Sequence, residues 1–263
     1  MASSVFTKTP REPGAARAEA AGLRWLAQAS PCVAEVVKAT DSSITTRRYE
    51  PARPTVEAAR RAGEELARIH AAGAPGFGSP PEGWDGPNYI GTQPQACEPC
   101  ATWMPFYAQQ RVLPFVRSAV DNGNLEPRGA STVEKALEAA AGATGDVEPP
   151  RPARIHGDLW AGNLLFTTSG PRFIDPAAHG GHPETDLAML ALFGAPYIED
   201  IFATYEEAAG LDSSWVARIP PPSASPARGS CDHPRRKLWL RPRPRRRGCS
   251  RAVCVIIPAA YAL

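Results

Sequence analysis

The sequence predicts an α+β chain in two lobes, a small strand-bearing N-terminal one and a mainly helical C-terminal one. Three observations carry that expectation. Short runs rich in β-branched residues surround one helical segment within residues 5–50. From Thr55 onward the apolar spacing becomes that of helices. Two brief apolar runs, LLF at 164–166 and FI at 173–174, then flank the turn TTSGP, the pattern of a hairpin set among helices.

The elements follow in order. VFTKT at 5–9 alternates like a strand, and after a Pro and Gly loop the stretch 16–29 places Ala20, Leu23 and Leu26 at helical spacing. CVAEVVKAT (32–40) and SSITTRRYE (42–50) read as a hairpin turning at Asp41–Ser43, and Pro51 and Pro54 interrupt the pattern. Thr55 is suited to cap a helix whose face carries Ala59, Leu66 and Ile69 and which Gly73 stops. Residues 73–101, rich in Gly, Pro and Asn, are expected to be loop. WMPFYAQQRVLPFVRSAVDNG and STVEKALEAAAGA read as two helices, the first broken near Pro114. After the linker EPPRP comes the motif-bearing stretch, and then a helix HPETDLAMLALFG continuing into IEDIFATYEEAAG. The expected units are a truncated N-terminal nucleotide-binding lobe with its hinge at 1–54, a helical catalytic lobe at 55–218, and an irregular basic tail at 219–263.

Composition places the chain among globular proteins, at 43% hydrophobic and 21% charged residues. No apolar run is long enough to span a bilayer and MASSVFTKTPREPG lacks the apolar core of a signal peptide, so a cytoplasmic protein is expected. Six irregularly placed Cys point to reduced thiols, and Cys97 and Cys100, without a second ligand pair nearby, to incidental loop cysteines. Of the 29 Lys and Arg, 10 lie between Ile219 and Leu263; of the 27 Asp and Glu, one does. The body is therefore acidic and the tail strongly basic.

The chemistry concentrates in HGDLWAGNLLF, 156–166, and IDPAAHGGHPETDLAML, 174–190. Asp158 and Asn163 stand five residues apart, the spacing of the protein-kinase catalytic loop, whose Asp orients and deprotonates the attacking hydroxyl while its Asn binds Mg²⁺. Asp175 follows the second strand of the expected hairpin, where that pattern has its metal-binding Asp. Phosphoryl transfer needs such a set because it is mostly positioning and charge neutralisation. Any one of these residues alone would be a turn residue; order and spacing together point to a phosphotransferase. Lys8 on a strand and Glu19 on the next helix repeat the pairing in which a Lys contacts nucleotide phosphates and a Glu holds it. Asp186, at a helix start, is expected to brace the catalytic-loop backbone. His179 and His182 either line the substrate side or satisfy their loop, and Trp160 beside Asp158 offers a flat face suited to a sugar.

These residues resemble the ketosamine kinases, also called fructosamine kinases: HGDLW with GN, then IDPA, GH and DLAM, together with AEAAGLRWLA and VFTKT, over about 5–219. The resemblance implies a protein-kinase-like bilobal fold related to aminoglycoside phosphotransferases, and ATP-dependent phosphorylation of the sugar 3-hydroxyl of small or protein-bound ketosamines. The product releases the amine, so the implied role is deglycation. By that match Asp158 is the base, Asn163 and Asp175 hold Mg²⁺, and Lys8 with Glu19 orients ATP. Other readings are an aminoglycoside- or choline-type kinase, and a catalytically defective homologue whose basic tail binds nucleic acid; neither nucleic acid nor membrane is the expected partner. Two departures stand out. Only seven residues precede Lys8, too few for the strands and Gly-rich turn that cover the phosphates in full-length kinases. The stretch from Arg218 abandons helical periodicity where the family has its closing helices, which suggests a shifted reading frame. Without those helices, apolar surface on LAMLALFG and FATYEEAAG is expected to be exposed.

Overall fold

The computed structural model describes residues 4–142, 151–211 and 215. Strand β1 (Val5–Lys8) pairs antiparallel with β3 (Ile44–Arg47), which pairs with β2 (Val36–Ala39), giving the order β1-β3-β2. Lys8 lies opposite Ile44 at the end of this sheet. Helix α1 (Ala15–Ala27) packs beneath it, burying Ala20, Leu23 and Leu26, which share one stripe at helical spacing, and Trp25 on another face. The expected hairpin of β2 and β3 is present, its strands shorter than the β-branched runs because Cys32–Ala34 leave the sheet to join another element.

That element is the hairpin of β7 (Leu164–Thr167) and β8 (Gly170–Phe173), antiparallel with Leu164 opposite Phe173. Ala34 N–H donates to the Phe173 carbonyl and Phe173 N–H to Cys32, while Ala52 N–H donates to Phe166 and Thr168 N–H to Glu50. The hairpin is thus stitched to the chain on both sides of the β3 strand, which fixes the sheet carrying Lys8 against the strands that lead to Asn163 and Asp175.

Helix α2 (Val56–Ala71) begins at Thr55, whose side chain accepts the Ala58 N–H, and ends ahead of Gly73 at φ +69°. It crosses α7 (Ile198–Ala209) at close range. One core joins α1, α2, β7, β8, α6 (Glu184–Phe193) and α7; a second, around Phe77, Phe106, Val112 and Leu137, holds α3 (Trp103–Phe106), α4 (Leu113–Asp121) and α5 (Pro127–Gly142) together.

The structure corrects the sequence reading in four places. The loop at 73–101 contains a hairpin, β4 (Asn88–Ile90) with β5 (Gln93–Gln95), whose three-residue strands are too short and polar to show a period. The break near Pro114 is a π-helical stretch, Tyr107–Val112, between α3 and α4. Pro114 has no N–H for the Gln110 carbonyl, and the Arg111 guanidinium donates to it instead, at 3.0 Å. The helix after HPETD does not run on into IEDIF: Gly194 and Tyr197 both take positive φ, so α6 and α7 are separate. Nor is LAMLALFG exposed. Leu187 to Ala191 are buried between the catalytic loop and α7, and of that run only Phe193 is open, while α7 buries Ile201, Phe202 and Tyr205. Trp215 sits edge-on against Phe202. The tail at 219–263 lies outside the described residues.

Candidate active site

β6 (Ala153–Ile155) runs into His156, Gly157 and Asp158, and a 3-10 turn at Ala161–Asn163 leads into β7. Gly157 takes φ +80°, and a Cβ there would lie 2.2 Å from the Ala177 carbonyl oxygen, so the HGD stretch admits no side chain at its centre. The Asn163 amide nitrogen donates to the Asp158 carbonyl (2.8 Å), to its carboxylate Oδ2 (3.2 Å) and to the Asp175 carbonyl (3.4 Å). The amide oxygen is left available. Asp175 has a left-handed backbone, φ +51°, a conformation Asp tolerates better than most residues, and it turns the carboxylate towards β1.

Lys8 meets that carboxylate. Its Nζ lies 2.8 Å from Glu19 Oε2 and 3.3 Å from Asp175 Oδ1. Burial works against the ammonium, but the two carboxylates outweigh it and hold the Lys8 pKa above its usual value. Burial pushes Glu19 up to about 7 against the pull of Lys8, with Asp175 adding to the rise. Burial also lifts Asp158 to about 7, opposed by the Asn163 hydrogen bond and reinforced by Asp186 and Asp175. Three carboxyl groups and one ammonium therefore share a partly dry pocket.

Asp186 is fully buried in the first turn of α6. Its Oδ2 accepts the His156 N–H at 2.7 Å and its Oδ1 the Gly157 N–H at 2.9 Å. Burial would raise its pKa; bonding to His70 and the His156 side prevails and holds it below the usual carboxylate range. The His156 ring adds a second tie, Nε2–H donating to the Ile174 carbonyl at 2.9 Å while Nδ1 accepts the Asp158 N–H at 3.3 Å. Asp158 and the Asp175 segment are thereby held to each other through one imidazole.

The structure thus brings Lys8, Glu19, Asp158, Asn163 and Asp175 to one place, with Asp186 behind them. Trp160 is 44% exposed and lies over Gly162, two residues from Asp158. His182 follows β9 (His179–Gly181), which pairs with β6 so that Ile155 faces His179 and Ala153 faces Gly181. His182 packs on Trp103, centroids 5.4 Å apart, and its Nδ1 accepts the Glu184 N–H. His179 is buried and neutral, donating from Nδ1 to Ala177 and accepting at Nε2 from Arg111. The sequence reading missed His70, Tyr205 and Arg111. His70 had a visible signal, a polar residue four positions after Leu66 on the apolar face of α2. Cys97 and Cys100 are free thiols.

Among the described residues no group of three His, Cys, Asp or Glu stands at metal-ligand distance. Asn163 and Asp175 instead offer one amide and one carboxylate oxygen. That donor set suits Mg²⁺, which takes one or two protein oxygens beside phosphates and water.

A strand Lys held by a helix Glu, an Asp–Asn catalytic loop and an Asp after a β-hairpin, on an α+β frame, define a bilobal protein-kinase-like fold. A gentamicin complex of the aminoglycoside phosphotransferase APH(2'')-IIa shares it at a TM-score of 0.53 and 14% identity, over 81% of this chain and 72% of that one. The family-wide sequence profile described as "Fructosamine kinase" matches residues 2–220, and the chain belongs to that family. A solved candidate fructosamine-3-kinase from Thermobifida fusca is 47% identical with a TM-score of 0.74, over 82% of this chain and 74% of that one. A Synechocystis sp. protein named "Probable ketoamine kinase" is 38% identical over 135 residues, 51% of this chain. The match spans 43% of that relative's length.

Proposed function

We propose that the chain carries the catalytic apparatus of an ATP-dependent ketosamine kinase, phosphorylating the sugar 3-hydroxyl of fructosamine- or ribulosamine-type adducts and so promoting release of the amine. The observation that carries this reading is the convergence of Lys8 on both Glu19 and Asp175, at 2.8 and 3.3 Å, beside the Asn163–Asp158 pair. Two stretches far apart in sequence, 8–19 and 158–175, supply these groups, and nothing in turn chemistry alone would gather them.

In this reading Lys8, oriented by Glu19, binds the phosphates of ATP, and Asn163 and Asp175 hold Mg²⁺. The bound cation would neutralise phosphate charge as the terminal phosphoryl group transfers. Asp158 accepts a hydrogen bond from the sugar hydroxyl and takes its proton as the hydroxyl oxygen bonds to the γ-phosphorus and the bond to the β,γ-bridging oxygen breaks, releasing ADP. A carboxyl group lifted to about 7 by burial is matched to that proton transfer near neutrality. Trp160 offers an exposed aromatic face at the mouth of the site for the sugar. Among the described residues no helix is long and apolar enough to cross a membrane, and the reading places the reaction in the cytoplasm.

The test is ADP release by the purified chain with fructosyl-lysine, ribulosyl-lysine and kanamycin as acceptors. Turnover with either ketosamine and little with kanamycin supports the reading. Preference for kanamycin would move it to the aminoglycoside class, and no turnover with any acceptor, despite ATP binding, would mark a defective homologue.

A further inference from the structure

Glu19 holds Lys8 from α1, and the apolar contacts that seat this helix on the core have no preferred direction. A polar tie is needed to set its tilt. We infer that Arg154, in the strand that leads into the Asp158 loop, is a positioning residue for the Lys8–Glu19 pair, acting by clamping the C-terminal end of α1. The role rests on the kinase reading above.

Alternation along β6 sends Ala153 and Ile155 into the core and Arg154 to the opposite side, where it meets α1. Its Nη1 donates to the Trp25 carbonyl at 2.5 Å and to Gln28 Oε1 at 2.9 Å, and the guanidinium carbon lies 4.5 Å from the centroid of the Trp25 ring. The Trp25 carbonyl needs an outside donor. In a continuing helix it would accept the Ala29 N–H, but that group donates to the Leu26 carbonyl instead. A cation at this end also complements the negative end of the helix dipole. Gln28 passes the tie on, its Nε2 donating to Glu82 Oε2 at 3.2 Å.

Gly22 carries the effect of the clamp to Glu19. It lets α1 approach the segment after Asp175, where a Cβ on Gly22 would lie 3.1 Å from Ala178 Cβ and 3.4 Å from Pro176 Cγ. Glu19 and Trp25 are each three residues from this contact, about 4.5 Å along the axis in opposite directions. The helix can rock on Gly22, so freeing the Trp25 end displaces Glu19 the other way. Loss of Arg154 should therefore weaken nucleotide binding by misplacing the carboxylate that orients Lys8.

The experiment titrates ATP with Mg²⁺ calorimetrically into the full chain and into Arg154→Met, Arg154→Lys, Glu19→Gln and the double variant Arg154→Met with Glu19→Gln. Met keeps an apolar stem over Trp25 and donates nothing; Lys restores a cation and a donor. Arg154→Met should weaken ATP binding about 3- to 30-fold, the range of coupling carried through packed elements, and Arg154→Lys should recover most of the loss. Glu19→Gln weakens binding as well, and adding Arg154→Met to it should cost less than about twofold more, since the clamp then has no carboxylate to position. Unchanged affinity in Arg154→Met would overturn the role. So would losses that multiply in the double variant, which would make Arg154 a support of the fold at large. Should Arg154→Met fail to fold, Gln28→Ala, at an exposed position, removes one arm of the clamp; it should weaken ATP binding about two- to fivefold, and no change there would overturn the role too. A wild-type chain that bound no ATP would instead sink the kinase reading, and the positioning role with it.

Discussion

Asp158 and Asn163 stand five residues apart in the sequence and share two hydrogen bonds in the structure, yet their environments could not be read from spacing. Asp158→Asn keeps the shape and removes the base; turnover should fall at least about 10³-fold with ATP binding retained, measured by steady-state kinetics beside calorimetric titration. Residual activity within a few-fold of wild type would remove Asp158 from its role. Lys8→Met should instead weaken ATP binding and lower kcat together, if Lys8 binds the phosphates as proposed. His179 illustrates a different dependence. Burial, aided by the charge of Arg111, lowers its pKa to about 3 from 6.5. The folded value lies below the unfolded one, so the unfolded chain binds the proton first. The stability His179 contributes is full above about pH 6.5 and is lost as pH falls, by up to ~1.4 kcal/mol per unit. His179→Gln lacks that dependence. Urea unfolding of both proteins should show the wild-type advantage at pH 7.5 shrink by about 1 kcal/mol at pH 5.5, and a gap that did not move with pH would mean that His179 is not held neutral.

At the level of elements, α1 was legible from the apolar spacing within 16–29 and α2 from its Thr55 cap and apolar face within 55–73, because both kinds of signal are local. Hairpin β4–β5 and the π-helical stretch were not, since one has strands too short for a period and the other lies where Pro114 lacks the N–H that an α-helix would aim at the Gln110 carbonyl. The contact of α2 with α7 was equally hidden. Gly63 sits where a Cβ would lie 2.2 Å from the Ile201 carbonyl oxygen and 2.3 Å from Thr204 Oγ1. Both are tied in place, Thr204 Oγ1 donating to the Arg60 carbonyl at 2.9 Å. Gly63→Ala should therefore cost about 1–3 kcal/mol by overpacking despite the better helix propensity of Ala, a fall in Tm of about 2–12 °C. An unchanged or raised Tm would show that the helices part without penalty.

For the whole molecule, the stitching of β7–β8 to residues 32–34 and 50–52 makes the nucleotide-facing set depend on both lobes at once. If ATP with Mg²⁺ binds that set, as proposed, it binds only the folded chain, so ligand at a hundred times its Kd should stabilise the protein by about 2.7 kcal/mol. In a thermal shift assay the increase should require Mg²⁺, vanish with a chelator, and shrink in Asp175→Asn. A shift indifferent to chelation would count against Asn163 and Asp175 as the cation's ligands.

The sequence by itself determined the α+β layout, the two-strand hairpin between Asn163 and Asp175, and the identities of the groups that meet at Lys8, because capping, periodicity and motif spacing are written in neighbouring residues. Tertiary structure alone decided that His182 packs on Trp103 while His70 meets Asp186, and that Asp158 sits dry enough to hold its proton near neutrality. It also decided that α6 is covered. Each of those outcomes depends on which distant segment packs against a residue, and burial, the largest influence on these pKa values and on the reach of each hydrogen bond, is a property of the assembled fold.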